Sequence, residues 1–390
     1  MPPAIPSRPC VRLVILPLSR YKSEDQRAHP ALPAAVPQGV PMSRFALAKS
    51  LLLLSLLPPV TLAATLPDEA PWTFNLYMEN DLFSNTDRNY TNGVRLSWVS
   101  PDLTDYRDDP RLPDWVGDFN RQFDRLLDFR QGESRNLVIS VGQLIYTPED
   151  NEAQQLIEDD RPYAGYLYTT FGYHARRRNR LDSVEVNLGW VGPSALGEQT
   201  QDLIHDLRNI ETFAGWDNQL RDEPTIQLVY ETKHRLFKHR LPGNLEHDFI
   251  SHGGGALGNV GTYLNGGGEY RLGWDLPDDF GTSAIRPAGD NSAPGKRDPR
   301  LRAREATLYG FHVFLSLDAR LVLRDIFLDG NTWKDSHSVD KEPVVVDAAI
   351  GFSFLVGAWK LSYAQVVRTR EFEEQPHHHE YGSVSISYTW

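Results

Sequence analysis

Two stretches of this sequence concentrate side chains able to do hydrolytic chemistry. The first is ENDLFSNTDRNYTNGVRLSW, Glu79 to Trp98, where Asn80, Asp81, Asn85, Thr86, Asp87, Asn89, Thr91 and Asn92 gather carboxylate, amide and hydroxyl oxygens. Hard cations such as Ca2+ take about six to eight oxygen ligands of these kinds. The spacing is not that of an EF-hand, and an ordinary polar hairpin loop is also rich in Asn and Asp. The second is GPSALGEQTQDLIHDLRNIE, residues 192–211, whose pattern predicts a short helix. Leu203, Leu207 and Ile210 form an apolar stripe, with Gln201, Asp202, His205, Arg208 and Asn209 on other faces. His205 is of the type used as a general base and Glu211 of the type that ligates a cation; a solvated surface helix has the same pattern.

Three further motifs carry no chemistry. Gly253-Gly254-Gly255-Ala256-Leu257-Gly258 fits a dinucleotide-binding glycine pattern, but no helix follows it. Ser194 lacks the G-x-S-x-G elbow. Consecutive residues rarely converge on one ion, so His377-His378-His379 reads as an exposed loop tract.

The elements that must position the two polar stretches are strands. Period-2 segments recur near 72–79, 90–99, 136–147, 165–176, 182–191, 224–233, 248–257, 260–274, 308–326, 343–356, 358–370 and 380–390. Most exceed the roughly 5–6 residues usual in soluble sheets and approach the roughly 9–11 that a tilted strand needs to cross a bilayer. Val184, Val186, Leu188 and Trp190 alternate with Glu185, Asn187, Gly189 and Val191, the lipid-out, water-in pattern of a transmembrane barrel. The fold class is therefore all-β, a transmembrane antiparallel β-barrel of about 12 strands with a short helix in an outer loop. A secreted β-sandwich also alternates, but has no need of tyrosine and tryptophan girdles. Up-and-down order places the connections 80–90, 148–164, 192–223, 327–342 and 371–379 on the outer side. Two long links, 100–135 and 275–306, fall on the inner side, where short turns are the rule. The first has Trp115, Phe119, Phe123, Leu126 and Leu127 at helical spacing, an interfacial helix; the second reads as a flexible loop. Strict alternation puts Glu79, Asp81, Thr91, Gly93 and Arg95 on the lumen side, and Asn80 outward unless the strand bulges.

Composition agrees. With 40% hydrophobic residues and a mean hydropathy of -0.44, the chain is too polar for a bundle of membrane helices. Residues 42–63 carry a basic start at Arg44 and Lys49, the apolar run Leu51 to Leu57 and a Thr61-Leu62-Ala63 cleavage site, the pattern of a secretory signal peptide. Residues 1–41 read as an upstream extension, leaving 64–390 as the barrel. The single cysteine, Cys10, lies before that barrel, so no disulfide staples it. Removing residues 1–63, with seven Lys/Arg and two Asp/Glu, takes the net charge from -12 to -17, which argues against nucleic acid as a partner and is compatible with divalent cations.

The joint presence of ENDLF…TDRNYTNGVRLSW, IYTPED…DDRPYAGYLY, GPSALGEQTQ…IH and FLDGNTWKDSHSVDK resembles the lipid A 3′-O-deacylase family of outer-membrane proteins, the LpxR type, over nearly the whole of 64–390. The resemblance implies a twelve-stranded barrel in the bacterial outer membrane, a monomer, with its active site facing outward and lipid A or lipopolysaccharide as substrate. It implies His205, Asn80, Asp81 and Thr91 as catalytic positions, Asp81, Thr91 and Glu211 as metal ligands, and Ca2+ as cofactor. In the implied mechanism Ca2+ polarises the ester carbonyl while His205 takes a proton from water. One departure from the family's pattern is TPEDNEAQQLIEDD, Thr147 to Asp160, which contains no Lys or Arg. The competing readings are a catalytically silent, porin-like barrel and an outer-membrane phospholipase with another head-group preference.

Overall fold

The computed structural model describes residues 71–80, 89–102, 134–208, 212–282, 284–289, 291–301 and 309–390. The expected signal peptide, the extension before it and the helix expected within 100–135 lie outside the described residues, apart from the edges of that link. Among the described residues no helix is long and apolar enough to cross a membrane.

Twelve strands form one closed antiparallel barrel in up-and-down order. They are β1 Thr73–Asn80, β2 Asn89–Val99, β3 Ser134–Thr147, β4 Ala164–Arg177, β5 Arg180–Val191 and β6 Glu223–Arg240, followed by β7 Leu245–Gly258, β8 Gly261–Trp274, β9 Tyr309–Asp325, β10 Val344–Val356, β11 Trp359–Arg368 and β12 His379–Thr389. Among the described residues, two α-helices interrupt the connections: α1, Gly197–Arg208, between β5 and β6, and α2, Ile326–Asp329, between β9 and β10. The seam pairs Thr73 with Thr389 and continues as mutual backbone bonds between Trp72 and Trp390 of 2.9 and 3.0 Å. Closure leaves no strand edge unpaired, which is how a sheet tolerates hydrocarbon.

The faces are inverted relative to a soluble protein. Ile139, Phe171, Leu228, Leu264, Leu315 and Ile350 are exposed on the wall, while Asn75, Arg95, Ser140, Glu185, Gln227 and Ser387 are buried inside. Apolar surface outward and polar surface inward is stable only with lipid outside.

The lumen is filled from both ends. Above the middle, Tyr146, Tyr166, Tyr168 and Phe314 pack with Ile326 and Phe327 of α2, and Tyr146 stacks on Phe327 at 4.2 Å. From the end that carries Trp72 and Trp390, the described residues of 275–301 enter the barrel, so the flexible loop expected there is in fact an internal plug. Its backbone N–H groups donate to wall carboxylates: Ile285 to Glu79 at 2.6 Å, Ala288 to Glu185 at 2.9 Å and Thr282 to Glu269 at 3.0 Å. Asp279 of the plug meets Arg271 at 2.6 Å, Lys360 at 2.7 Å and Arg300 at 3.5 Å. A polar segment reads as a solvated loop in sequence, yet it is equally suited to a polar lumen whose wall supplies partners for its backbone. A cavity of about 70 Å³ remains beside it, lined by Glu269, Thr282, Arg286 and Asp318. An open vestibule of about 1520 Å³, lined by Arg176, Arg235, Lys238 and Arg297, lies at the same end of the barrel as Trp72 and Trp390.

Candidate functional site

The site is built at the distal end, opposite the end that carries Trp72 and Trp390, and on the outside of the wall. Register defines a row there: Asn80 of β1 pairs with Asn92 of β2, Asn92 with Ile145 of β3, and Ile145 with Gly165 of β4. Along β1, Thr73, Asn75, Tyr77 and Glu79 are the buried, lumen-facing positions, so Asn80 faces outward. Glu79 is held inside by the plug, as alternation requires. A bulge in β2 between Tyr90 and Asn92 interrupts the strict alternation of that strand. The Thr91 side chain, Asp81 and Glu211 lie outside the described residues.

The connection after β5 then folds back over this row. Gly192 at φ 106 and Leu196 at φ 58 turn the chain, and Gln143, on the outer face of β3, donates to the Ala195 carbonyl at 2.7 Å. The first residue of α1, Gly197, rests on Gly165 with their backbones in contact. The helix buries Gly197, Gln201 and His205, spaced i, i+4, i+8, toward the wall and leaves Leu203 and Leu207 exposed. The expected helix therefore exists, with its polar stripe inward and its leucines outward.

His205 is only 1% exposed. Its ring meets Phe213 edge-on at 5.7 Å, and Phe213 packs with Ile145, Tyr163 and Trp216 in a small apolar cluster outside the barrel. Trp216 donates its indole N–H to Gln201 at 2.8 Å, locking the turn of α1 that precedes His205. The segment between β3 and β4 clamps the assembly: Ala214 donates to the Asn151 carbonyl at 2.9 Å, and Leu220 to that of Tyr163 at 2.9 Å. Burial pushes the Tyr163 phenol up to about 12, so it stays protonated at neutral pH. Phe213 and Trp216 were not singled out by sequence, and Gln201 was placed on the helix without a role; the i, i+4 spacing of Gln201 and His205 was the available signal.

A second network ties the remaining distal connections together. Asp160 accepts from the N–H groups of Glu149 and Arg161, both at 2.7 Å, while burial raises its carboxyl above the usual range. Arg161 bonds Glu371 at 3.2 Å, and Arg368 bonds the other Glu371 oxygen at 3.3 Å. Burial alone would raise Glu371, but Arg368 and Arg161 outweigh it and hold its carboxyl down to about 2.

The dismissed motifs lie away from this chemistry. Gly253–Gly258 is strand β7. Ser194 is exposed and donates to Asp222 at 2.8 Å. His377 and His378 are exposed while His379 is buried at the start of β12, so the three do not converge.

Fold and site together define a transmembrane β-barrel with a buried histidine held against the lipid side of its wall. The chain belongs to the family described as outer membrane protein LpxR, whose model matches residues 47–390, and it is an outer-membrane protein. Among solved structures it is similar to LpxR from Salmonella typhimurium, at 16% identity and a TM-score of 0.63, covering 81% of this chain and 99% of that one. It also matches the β domain of the Bordetella autotransporter BrkA, at 8% identity and a TM-score of 0.39, covering 83% of this chain and 99% of that one. No curated protein matches the chain in the sequence comparison.

Proposed function

We propose that this chain is an outer-membrane esterase that removes the 3′-linked acyl group of lipid A, with His205 as general base and the distal end facing out of the cell. The observation that carries the reading is the position of His205: buried, yet on the lipid side of the wall, beside the outward row that contains Asn80 and Asn92. An ester in the outer leaflet lies beside the barrel and not in its lumen, so a base in this place is suited to a substrate that arrives laterally.

His205 takes a proton from water as that water attacks the ester carbonyl, then returns it to the departing sugar oxygen. The packing of Phe213 and the Gln201–Trp216 bond fix the ring and keep bulk water from one side of it. The amides of Asn80 and Asn92 are hard oxygen donors on an otherwise apolar wall, which fits a hard cation better than plain lipid. Ca2+, held by Asp81, Thr91 and Glu211 beside Asn80, would polarise the carbonyl and stabilise the oxyanion. The plug and the tyrosine layer weigh against the silent porin-like alternative, since both occupy the space a channel would need.

Mass spectrometry of lipid A from cells with and without the protein tests the reading. The expected result is loss of the 3′-linked acyl group only when the protein is present, abolished by a chelator and restored by Ca2+ better than by Mg2+. Unchanged lipid A under every cation condition would replace this reading with the silent barrel. Release of glycerophospholipid acyl chains instead would favour the phospholipase.

A further inference from the structure

The helix that carries His205 has three distinct faces. Gly197, Gln201 and His205 meet the wall. At about 100° per residue, Leu203 and Leu207 project to one side of that stripe and away from the wall, and Glu198, Asp202 and Asp206 to the other side. Leu203 and Leu207 are 60% and 66% exposed, so no side chain among the described residues covers them.

The surface next to the helix is apolar. Gly165, on which Gly197 rests, is followed two positions along β4 by Leu167, which pairs with Trp190 of β5, and both are exposed on the outer face. At about 3.3 Å per residue, this pair lies roughly 7 Å from the helix contact, toward the middle of the barrel. Phe171 and Leu188 continue the exposed outer face beyond it. Tryptophan is favoured where hydrocarbon gives way to headgroups, so Trp190 marks that boundary close beneath α1.

We propose that α1 is an interfacial helix. Its Leu203–Leu207 flank rests in the acyl layer of the outer leaflet, and its Glu198–Asp202–Asp206 flank faces the aqueous headgroup side. The occupant of the apolar flank is lipid hydrocarbon, because the lipid-facing wall of Leu167, Trp190, Phe171 and Leu188 begins close beneath the helix. A short helix with an apolar and a charged flank partitions into a membrane surface in this way. The helix then does more than hold His205: it fixes the depth of the base relative to the bilayer, within reach of esters near the acyl–headgroup boundary. This last consequence rests on the esterase reading; the membrane contact itself does not.

Site-directed spin labelling separates the two. In a Cys10→Ser background, single variants Leu203→Cys, Leu207→Cys, Asp202→Cys and Asp206→Cys are labelled in the full-length protein, reconstituted in lipopolysaccharide-containing vesicles. Accessibility to oxygen, which concentrates in hydrocarbon, is compared with accessibility to a water-soluble nickel chelate. Labels at 203 and 207 are expected to favour oxygen, and labels at 202 and 206 the nickel chelate. Equal, water-like accessibility at all four positions overturns the proposal. In an active preparation, Leu203→Asp with Leu207→Asp is expected to raise KM for vesicle-embedded substrate roughly tenfold, with kcat on a short-chain micellar ester unchanged. An unchanged KM in vesicles also counts against it. An inactive wild type would remove the esterase reading and leave the accessibility result to stand or fall alone.

Discussion

Gly165 and Gly197 meet across the outer face of the barrel so closely that a Cβ on Gly165 would lie 2.9 Å from the Gly197 nitrogen. A Cβ on Gly197 would lie 2.9 Å from the Gly165 Cα and 3.0 Å from the Trp216 ring. Both neighbours in the first contact are backbone, which cannot swing aside. The helix bearing His205 is seated on the wall through this pair.

Gly165→Val is therefore expected to lift α1 from the wall without breaking the strand ladder, since valine suits a strand. A misplacement of about 1 Å can cost on the order of 10²-fold in rate, so kcat for deacylation should fall by about that much. Heat-modifiability on a detergent gel should be unchanged. Full activity in Gly165→Val would show that the seating does not matter.

The plug provides a prediction independent of catalysis. Asp279 joins Arg271, Lys360 and Arg300, all of them buried. Removing one member of a buried ion cluster strands the others, at about 3–5 kcal/mol. Asp279→Ala should lower the unfolding temperature and loosen the plug, measured as increased conductance in planar bilayers. Activity at the outer-wall site should change far less. A variant as stable and as closed as wild type would mean that the plug is anchored elsewhere.

The strands were legible because a wall facing lipid on one side and polar groups on the other imposes period two on every segment, as in Val184 to Trp190. All twelve are present, β6 and β7 longer than the pattern indicated. The plug was not legible, because Asp279, Arg286 and Asn291 look alike in sequence whether water or a polar lumen surrounds them. The helix was read from its apolar stripe, but amphipathy alone does not say which stripe meets protein. Here the non-local Trp216–Gln201 bond and the Gly165 contact turn the leucines away. Likewise, the bulge before Asn92 depends on the pairing of β2 with β3, which alternation along one strand cannot report.

Acid should loosen the distal network in a defined window. The Glu371 carboxyl has a reference value of 4.5 and is held at about 2 in the folded chain, so its stabilising contribution is fully present above about 4.5. That contribution is lost as pH falls from 4.5 toward 2, and its size is on the order of 3 kcal/mol. Asp160 is shifted the other way, so its protonation favours the folded state as pH falls and partly opposes the loss. Hydrogen exchange in residues 148–163 and 369–378 should accelerate below pH 4.5 in wild type. Glu371→Gln should show the faster exchange already at neutral pH. Identical exchange in the two proteins at pH 7 would remove Glu371 as the keystone.

The strongest discrimination between an enzyme and a silent barrel comes from His205. General-base assistance contributes roughly 10²–10⁴-fold, so His205→Ala should lose at least about two orders of magnitude in deacylation. His205→Gln retains a polar side chain that can still pack near Phe213, but it cannot take up a proton, and it should be nearly as inactive. Both variants change a helix outside the strand ladder, so outer-membrane assembly and heat-modifiability should match wild type. Some local loosening is expected in His205→Ala, because the ring fills space against Phe213. The glutamine variant controls for it: a packing role would be largely rescued by Gln, whereas a proton-transfer role would not. His377→Ala, in the exposed tract before β12, should behave as wild type. Undiminished cleavage by His205→Ala, or rescue by His205→Gln, would move the base to another residue.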